Sequence, residues 1–169
     1  MASFEFLAII FTGIGLIVSI LYYTTVFQNA NKTQQLALET RQAQLFMQMY
    51  NRWLDDITLE DYYPFVTRPI SNWKELKTLY NTDEDYQRIF NKVAGFFEGL
   101  GVLVKAGYLT IHPIALMWTG VTTLFWTNIL GPIIEDMRKD YKLTRLWSEA
   151  EYMCTELLRY VQEHPELAT

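Results

Sequence analysis

The sequence predicts an all-α protein in which a single N-terminal transmembrane helix continues into a cytoplasmic helical bundle. Three observations point there. Residues 6–31 carry no charge. No stretch of useful length alternates apolar and polar residues as a half-buried strand does. Apolar residues instead recur at helical spacings along most of the remaining chain. The expected division is an anchor over residues 1–30, a helical stalk over residues 31–54 and a bundle domain over residues 55–169. With 169 residues in all, the chain beyond the anchor makes one ordinary domain.

The anchor comes first. Residues 6–27 are its most apolar part and would extend about 33 Å as a helix, close to the thickness of a bilayer core. Tyr22 and Tyr23 fall near its C-terminal end, where amphipathic rings favour the headgroup zone. A cleaved signal peptide fits poorly, because the run is long and Glu5 precedes it with no Lys or Arg. Lys32, Arg41 and Arg52 follow the span, which places the N-terminus outside the cell membrane and the domain in the cytoplasm. Gly15 and Ser19 form a small-xxx-small pair that would let two such helices approach as a homodimer, although lone pairs of this kind also face lipid.

The stalk follows without a break. No Pro or Gly interrupts the chain between Gly15 and Pro64, so one helix is expected to leave the membrane and enter the domain. That continuity would hold the domain near the bilayer. Leu38, Leu45, Met49 and Trp53 make its buried stripe. Residues 55–71 read as a connector, interrupted by Pro64 and Pro69 and pinned by Tyr62, Tyr63 and Phe65. Asp55, Asp56, Glu60 and Asp61 give it an acidic character that matches no calcium loop and reads as solvated.

Ser71 or Asn72 caps a short helix through Tyr80. Thr82 and Asp83 cap a longer one over residues 84–105, ended by Gly107. Phe90, Val93, Phe97, Leu100 and Val104 form its apolar face. Gln87, Asn91, Ala94, Glu98, Gly101 and Lys105 share another side. Gly95 and Gly99 cost about 1 kcal/mol each against Ala in a helix and suggest a closely packed neighbour.

Residues 111–134 form a second apolar run, with His112 its only ionisable group. Arg138, Lys139, Lys142 and Arg145 follow it, so a span here would also run from outside to inside. Two successive spans cannot do that. A buried or interface-facing helical pair is expected instead, with Pro113 at the first start and the second helix over residues 121–139. The last helix is expected over residues 143–163. It buries Leu146, Trp147, Ala150, Met153, Cys154, Leu157 and Val161 and turns Glu149, Glu151, Glu156 and Arg159 outward.

The chemistry is sparse. Net charge is −5, with no basic face to neutralise phosphates, so no nucleic-acid partner is expected. Cys154 is the sole cysteine, and His112 and His164 lie far apart in sequence. No phosphate loop, nucleophile motif or metal-ligand spacing occurs, so no catalytic residue, cofactor or metal is expected. Glu98 sits among Phe96, Phe97 and Gly99. A carboxylate buried there needs a partner, and Arg41 or Arg52 of the stalk is the expected one.

Two segments carry a resemblance: TRQAQLFMQMYNRW at residues 40–53 and GFFEGLGVLVKAGYL at residues 95–109. Together with the span they resemble a family of small archaeal and bacterial membrane-anchored proteins known only as a domain of unknown function. The likeness continues weakly through Trp126 and the GPIIEDMRKD stretch at residues 131–140. It implies no activity and no catalytic residue. The chain departs from the pattern at residues 55–73 and at residues 115–125, which are unusually apolar and rich in Thr. Such a surface on a tethered domain suggests burial against a protein or the membrane face, with Leu116, Trp118, Phe125 and Trp126 as candidate contacts.

These observations lead to the expectation of a non-catalytic, membrane-anchored accessory or assembly subunit of a larger membrane complex. Its partners would be membrane lipid and other membrane proteins. The archaeal copper ammonia monooxygenase is one candidate host. The alternatives are a homodimeric regulatory or sensory single-pass protein and an enzyme with an unrecognised carboxylate site.

Overall fold

A computed structural model describes residues 2–167, and no strand occurs among them. In chain order the helices are α1 (Ala2–Asp56), α2 (Leu59–Thr67), α3 (Trp73–Thr82), α4 (Glu84–Lys105), α5 (Ile111–Phe125), α6 (Ile134–Tyr141) and α7 (Ser148–Glu163). A π-helical turn (Trp126–Leu130) follows α5, and a short 3-10 turn (Pro165–Leu167) follows α7. The chain divides into two compact units, Met1–Ala43 and Gln44–Thr169.

The first unit holds most of α1. This helix is long and apolar enough to cross a membrane, and none of its most apolar window is buried. Its hydroxyls look inward to the helix backbone: Ser19 Oγ donates to the Gly15 carbonyl at 2.8 Å and Thr24 Oγ1 to that of Ile20 at 2.8 Å. Gly15 has open space around it. Leu38, expected at the start of the buried stripe, is exposed.

The second unit is a helical bundle. The end of α1 supplies Leu45 and Met49, partly buried, and Trp53, which is buried. Trp53 lies 4.7 Å from Phe96 and 5.4 Å from Tyr62, ring centre to ring centre. Beside them Phe97 and Phe125 stack at 5.1 Å. These rings form the centre of the core.

Where a connector was expected, α2 forms. Thr58 caps it by accepting from the Asp61 amide at 3.1 Å, and Tyr62, Phe65 and Val66 recur at helical spacing on its buried side. Pro64 lies inside this helix but on the exposed side. It forfeits one backbone hydrogen bond, to Glu60, which is likewise exposed, so water can satisfy the freed carbonyl. Asn72 caps α3 by accepting from the Glu75 amide at 3.0 Å, and Asp83 caps α4 by accepting from the Tyr86 amide at 2.9 Å. Both caps fall where the sequence places them.

The second apolar run does not break in its Thr-rich middle. Thr119, Thr123 and Thr127 each donate to the carbonyl four residues back, at 2.6, 2.8 and 2.7 Å. Their hydroxyls are thus satisfied within the helix and do not end it. The break falls instead at Gly131–Ile133, and α6 leaves at 53°. Pro132 explains the place. It would be the donor to the Asn128 carbonyl, and it has no N–H. That carbonyl accepts from the Ile70 amide at 2.8 Å, while Asn128 Nδ2 donates to the Val66 carbonyl at 2.8 Å. The last turn of α2 and the link to α3 are therefore both stitched to the π turn by one asparagine, through its side chain and its carbonyl. Gly131 is required beside it, since a Cβ there would lie 2.7 Å from the Trp126 carbonyl oxygen.

The close approach expected at Gly95 and Gly99 occurs instead at Gly101, two residues past Gly99. Gly95 meets nothing within 4 Å and Gly99 only the Met49 tip at 3.8 Å, whereas a Cβ on Gly101 would lie 2.0 Å from the Glu149 carbonyl oxygen. Gly101→Ala therefore forces α4 and α7 apart. The expected loss is about 1–3 kcal/mol, read as a lower denaturant midpoint of the full chain in detergent. Gly95→Ala, in open space, should instead raise stability by roughly 0.5–1 kcal/mol.

Candidate functional site

The N-terminus of α7 needs a cap, and its own sequence does not supply one. The N-cap position is Trp147, whose carbonyl accepts the first helical bond from Glu151 at 3.0 Å and whose side chain caps nothing. Glu98 of α4 fills the role from across the interface. Its Oε2 accepts from the Glu149 amide at 3.1 Å and the Ala150 amide at 2.7 Å. A carboxylate at a helix N-terminus satisfies unpaired amides and complements the helix dipole.

This overturns the expected ion pair. Glu98 is held by backbone amides, and Arg52 pairs with Asp56 at 3.4 Å along α1, while Arg41 lies exposed in the first unit. The physical reason is local. Glu98, Gly101 and Lys105 share the side of α4 that α7 packs against, so the nearest donors are the first amides of α7. One turn on, Lys105 Nζ pairs with Glu149 at 2.8 Å. Glu149, expected to face outward, is buried here, and its hydrogen bond from Lys105 holds its carboxyl below the usual carboxylate range.

The segment before α7, expected to be helical, is a loop. α6 ends with Lys142 in the left-handed region (φ 55°), and Trp147 adopts the same region (φ 53°). Arg138 clamps the loop between them: its Nε donates to the Leu146 carbonyl at 3.0 Å and a terminal nitrogen to Glu151 at 2.7 Å. Leu146 and Trp147 are accordingly half-buried in the loop rather than on a helix face.

Between this loop and helices α3, α4 and α6 opens a cleft of about 240 Å³. Trp73, Leu76 and Tyr80 come from α3, Phe90 and Asn91 from α4, and Met137 and Tyr141 from α6, while Leu143, Leu146 and Trp147 form the lip. Tyr80 and Trp147 both stand nearly perpendicular to Phe90, at 88° and 81°. Asn91 supplies the polar contact, its Oδ1 accepting from the Tyr80 hydroxyl at 3.1 Å. At the rim Lys77 pairs with Asp140 at 2.6 Å, and Trp73 Nε1 donates to the same carboxylate at 2.9 Å. These bonds hold the Asp140 carboxyl below its ordinary range, the Lys77 one foremost. No carboxylate, imidazole, thiol or amine lines the cleft. Its surface suits binding.

The expected contact residues separate. Trp118 and Phe125 belong to the core, at 2% and 0% exposure, and Trp126 is half-buried. A helix with one buried face puts them inward. Leu116 alone of the four is exposed, joined on the outer side of α5 by Met117 and Leu124. In the acidic stretch, Asp56 and Asp61 pair with Arg52 and Arg88. Burial raises the thiol pKa of Cys154, which makes it a poor nucleophile. Sequence spacing also missed that both histidines contact Tyr160. His112 Nδ1 lies 3.0 Å from the Tyr160 hydroxyl, and Tyr160 stacks on His164 at 4.3 Å. His164 pairs with Glu166 at 3.1 Å. No local pattern could have signalled it, because the contact joins the start of α5 to the end of α7. Among the described residues, no group of three or more His, Cys, Asp or Glu could hold a metal ion.

A family described as Domain of unknown function (DUF4760) matches residues 9–157. That covers most of the chain, which belongs to this family. No curated protein and no solved structure matches.

The α4–α7 seam makes two predictions. Glu98→Ala leaves two amides uncapped and should cost about 1–2 kcal/mol, Glu98→Gln less, and Arg52→Ala under about 0.5 kcal/mol. Denaturant midpoints at pH 7 check the order. Glu149 adds a pH dependence. Its folded pKa lies below the ordinary 4.5, so its contribution is complete above that value and is lost as pH falls through the folded pKa. Lys105→Met should flatten the acid limb of a midpoint-against-pH curve.

Proposed function

We propose that this member of the DUF4760 family is a membrane-anchored accessory or assembly subunit of a larger membrane protein complex. In this reading α1 is a single span with its N-terminus outside, and the bundle lies in the cytoplasm as a binding module. The observation that carries the proposal is the contrast between the chain's two apolar segments. The apolar window of α1 is wholly unburied, while α5 buries one face in the core. A core helix passes a hydropathy test because it packs inside; the apolar window of α1 packs against nothing in its own unit, and a lipid core is the environment that suits such a surface. Lys32 and Arg41 beyond the span support the orientation.

A role in assembly is supported by the outer side of α5. Leu116, Met117 and Leu124 are 60%, 47% and 37% exposed. Apolar side chains grouped on one helix face favour contact with a protein partner.

Membranes from the native host, solubilised in mild detergent, test the proposal. The chain should remain in the membrane through carbonate washing and migrate in a complex larger than its own dimer. Leu116→Glu with Met117→Glu should release it from that complex while leaving its helical content intact. Migration of the native chain as a lone monomer or dimer would overturn the subunit reading.

A further inference from the structure

We propose that the cleft beside Trp147 is a binding site for a small, neutral, two-ring aromatic molecule that carries one hydrogen-bond acceptor. The first argument is what the chain gives up to place Trp147. A helix N-cap favours Ser, Thr, Asp or Asn, and a bulky residue strongly disfavours the left-handed region. Trp147 violates both preferences at one position, at φ 53° with no cap bond from its side chain. Glu98 compensates from α4 by capping α7 in its stead. Local rules broken and repaired from elsewhere mark sites held for function. What the arrangement secures is the Trp147 ring against the cleft.

The cleft's shape and lining then select the ligand. An apolar cavity of about 150 Å³ holds benzene. This one, at about 240 Å³, is larger by roughly half and has room for a second fused ring. Phe90 forms a floor from which Tyr80 and Trp147 rise at 88° and 81°. A planar ring entering there meets faces and edges in the arrangements aromatic pairs prefer. A second cation is disfavoured, since the Lys77 ammonium already lies 5.8 Å from the Trp73 ring centre at the rim. The Tyr80 hydroxyl donates to Asn91 Oδ1 and so leaves the Nδ2 protons for a ligand acceptor.

This site is independent of complex membership, so the purified full chain in nanodiscs tests it. The probe is coumarin, neutral and bicyclic with one carbonyl acceptor, followed by the Trp indole N–H resonances. Coumarin should shift Trp73 and Trp147 saturably, with Kd below about 1 mM, and leave the core Trp118 unmoved. Leu143→Trp, which fills the mouth at an exposed position, should abolish the shifts. Asn91→Leu should weaken coumarin about threefold or more and leave naphthalene, which has no acceptor, unchanged. Three results would overturn the proposal: no saturable shift to several millimolar, equal shifts in the Leu143→Trp protein, or tighter binding of benzyltrimethylammonium than of coumarin. Failure here would leave the subunit reading untouched, and loss of the complex would leave this site untouched.

Discussion

The bundle depends on one interaction above the rest: the carboxylate of Glu98 on the first amides of α7. Helix starts leave backbone donors without partners, and buried donors must find them. The residues preceding α7 supply one, the Arg145 carbonyl to the Ser148 amide, and leave the amides of Glu149 and Ala150 to find others. Glu98 accepts from both from a different helix, and it reaches because Gly101, less than one turn on, lets the α7 backbone come closer than any side chain would allow. Lys105 closes the seam on Glu149. Three residues on one side of α4 thus set where α7 begins, how near it lies and which way its first turn faces.

The loop ahead of α7 inherits its conformation from that seam. With capping provided by α4, position 147 is free of the usual requirement for a short polar side chain, and a tryptophan occupies it. Lys142 and Trp147, both left-handed, turn the chain at either end of the loop. Arg138 of α6 fastens Leu146, just before Trp147, and reaches Glu151 of α7. The cleft therefore has a fixed lip, because the residues that shape it are hydrogen-bonded to two helices rather than left to fold over the opening.

Legibility in the sequence followed the range of the forces involved. Caps such as Asn72 and Asp83 act within three residues, and the sequence places them correctly. The side of α4 carrying Glu98, Gly101 and Lys105 was also legible, because periodicity alone assigns it. Which glycine on α4 would be crowded, and which donors Glu98 would find, depended on the path of α7 fifty residues away. α2 was hidden because Pro64 reads as a breaker unless its exposed placement is known. The Thr-rich stretch misled for a related reason. Hydroxyls that look like polar interruptions are silent once they bond to the preceding turn. The cleft itself left no motif, since its lining comes from three helices and a loop.

The two apolar segments show why composition needs burial beside it. By length and hydropathy, α1 qualifies as a span, and α5 does so together with α6 as a bent pair. The charges after each give the same orientation, so charge counting alone forbids only their coexistence as successive spans. Packing separates them. α5 places Ile114, Trp118 and Phe125 in the core at zero or near-zero exposure and keeps the Thr119 and Thr123 hydroxyls bonded within the helix. Its apolarity is thus already used by the fold. The apolar window of α1 is used by nothing in its own unit. Apolar surface in that amount is stable only when something outside the unit removes it from water. That requirement, rather than hydropathy itself, leaves α1 as the helix able to cross a membrane and α5 as a helix of the core.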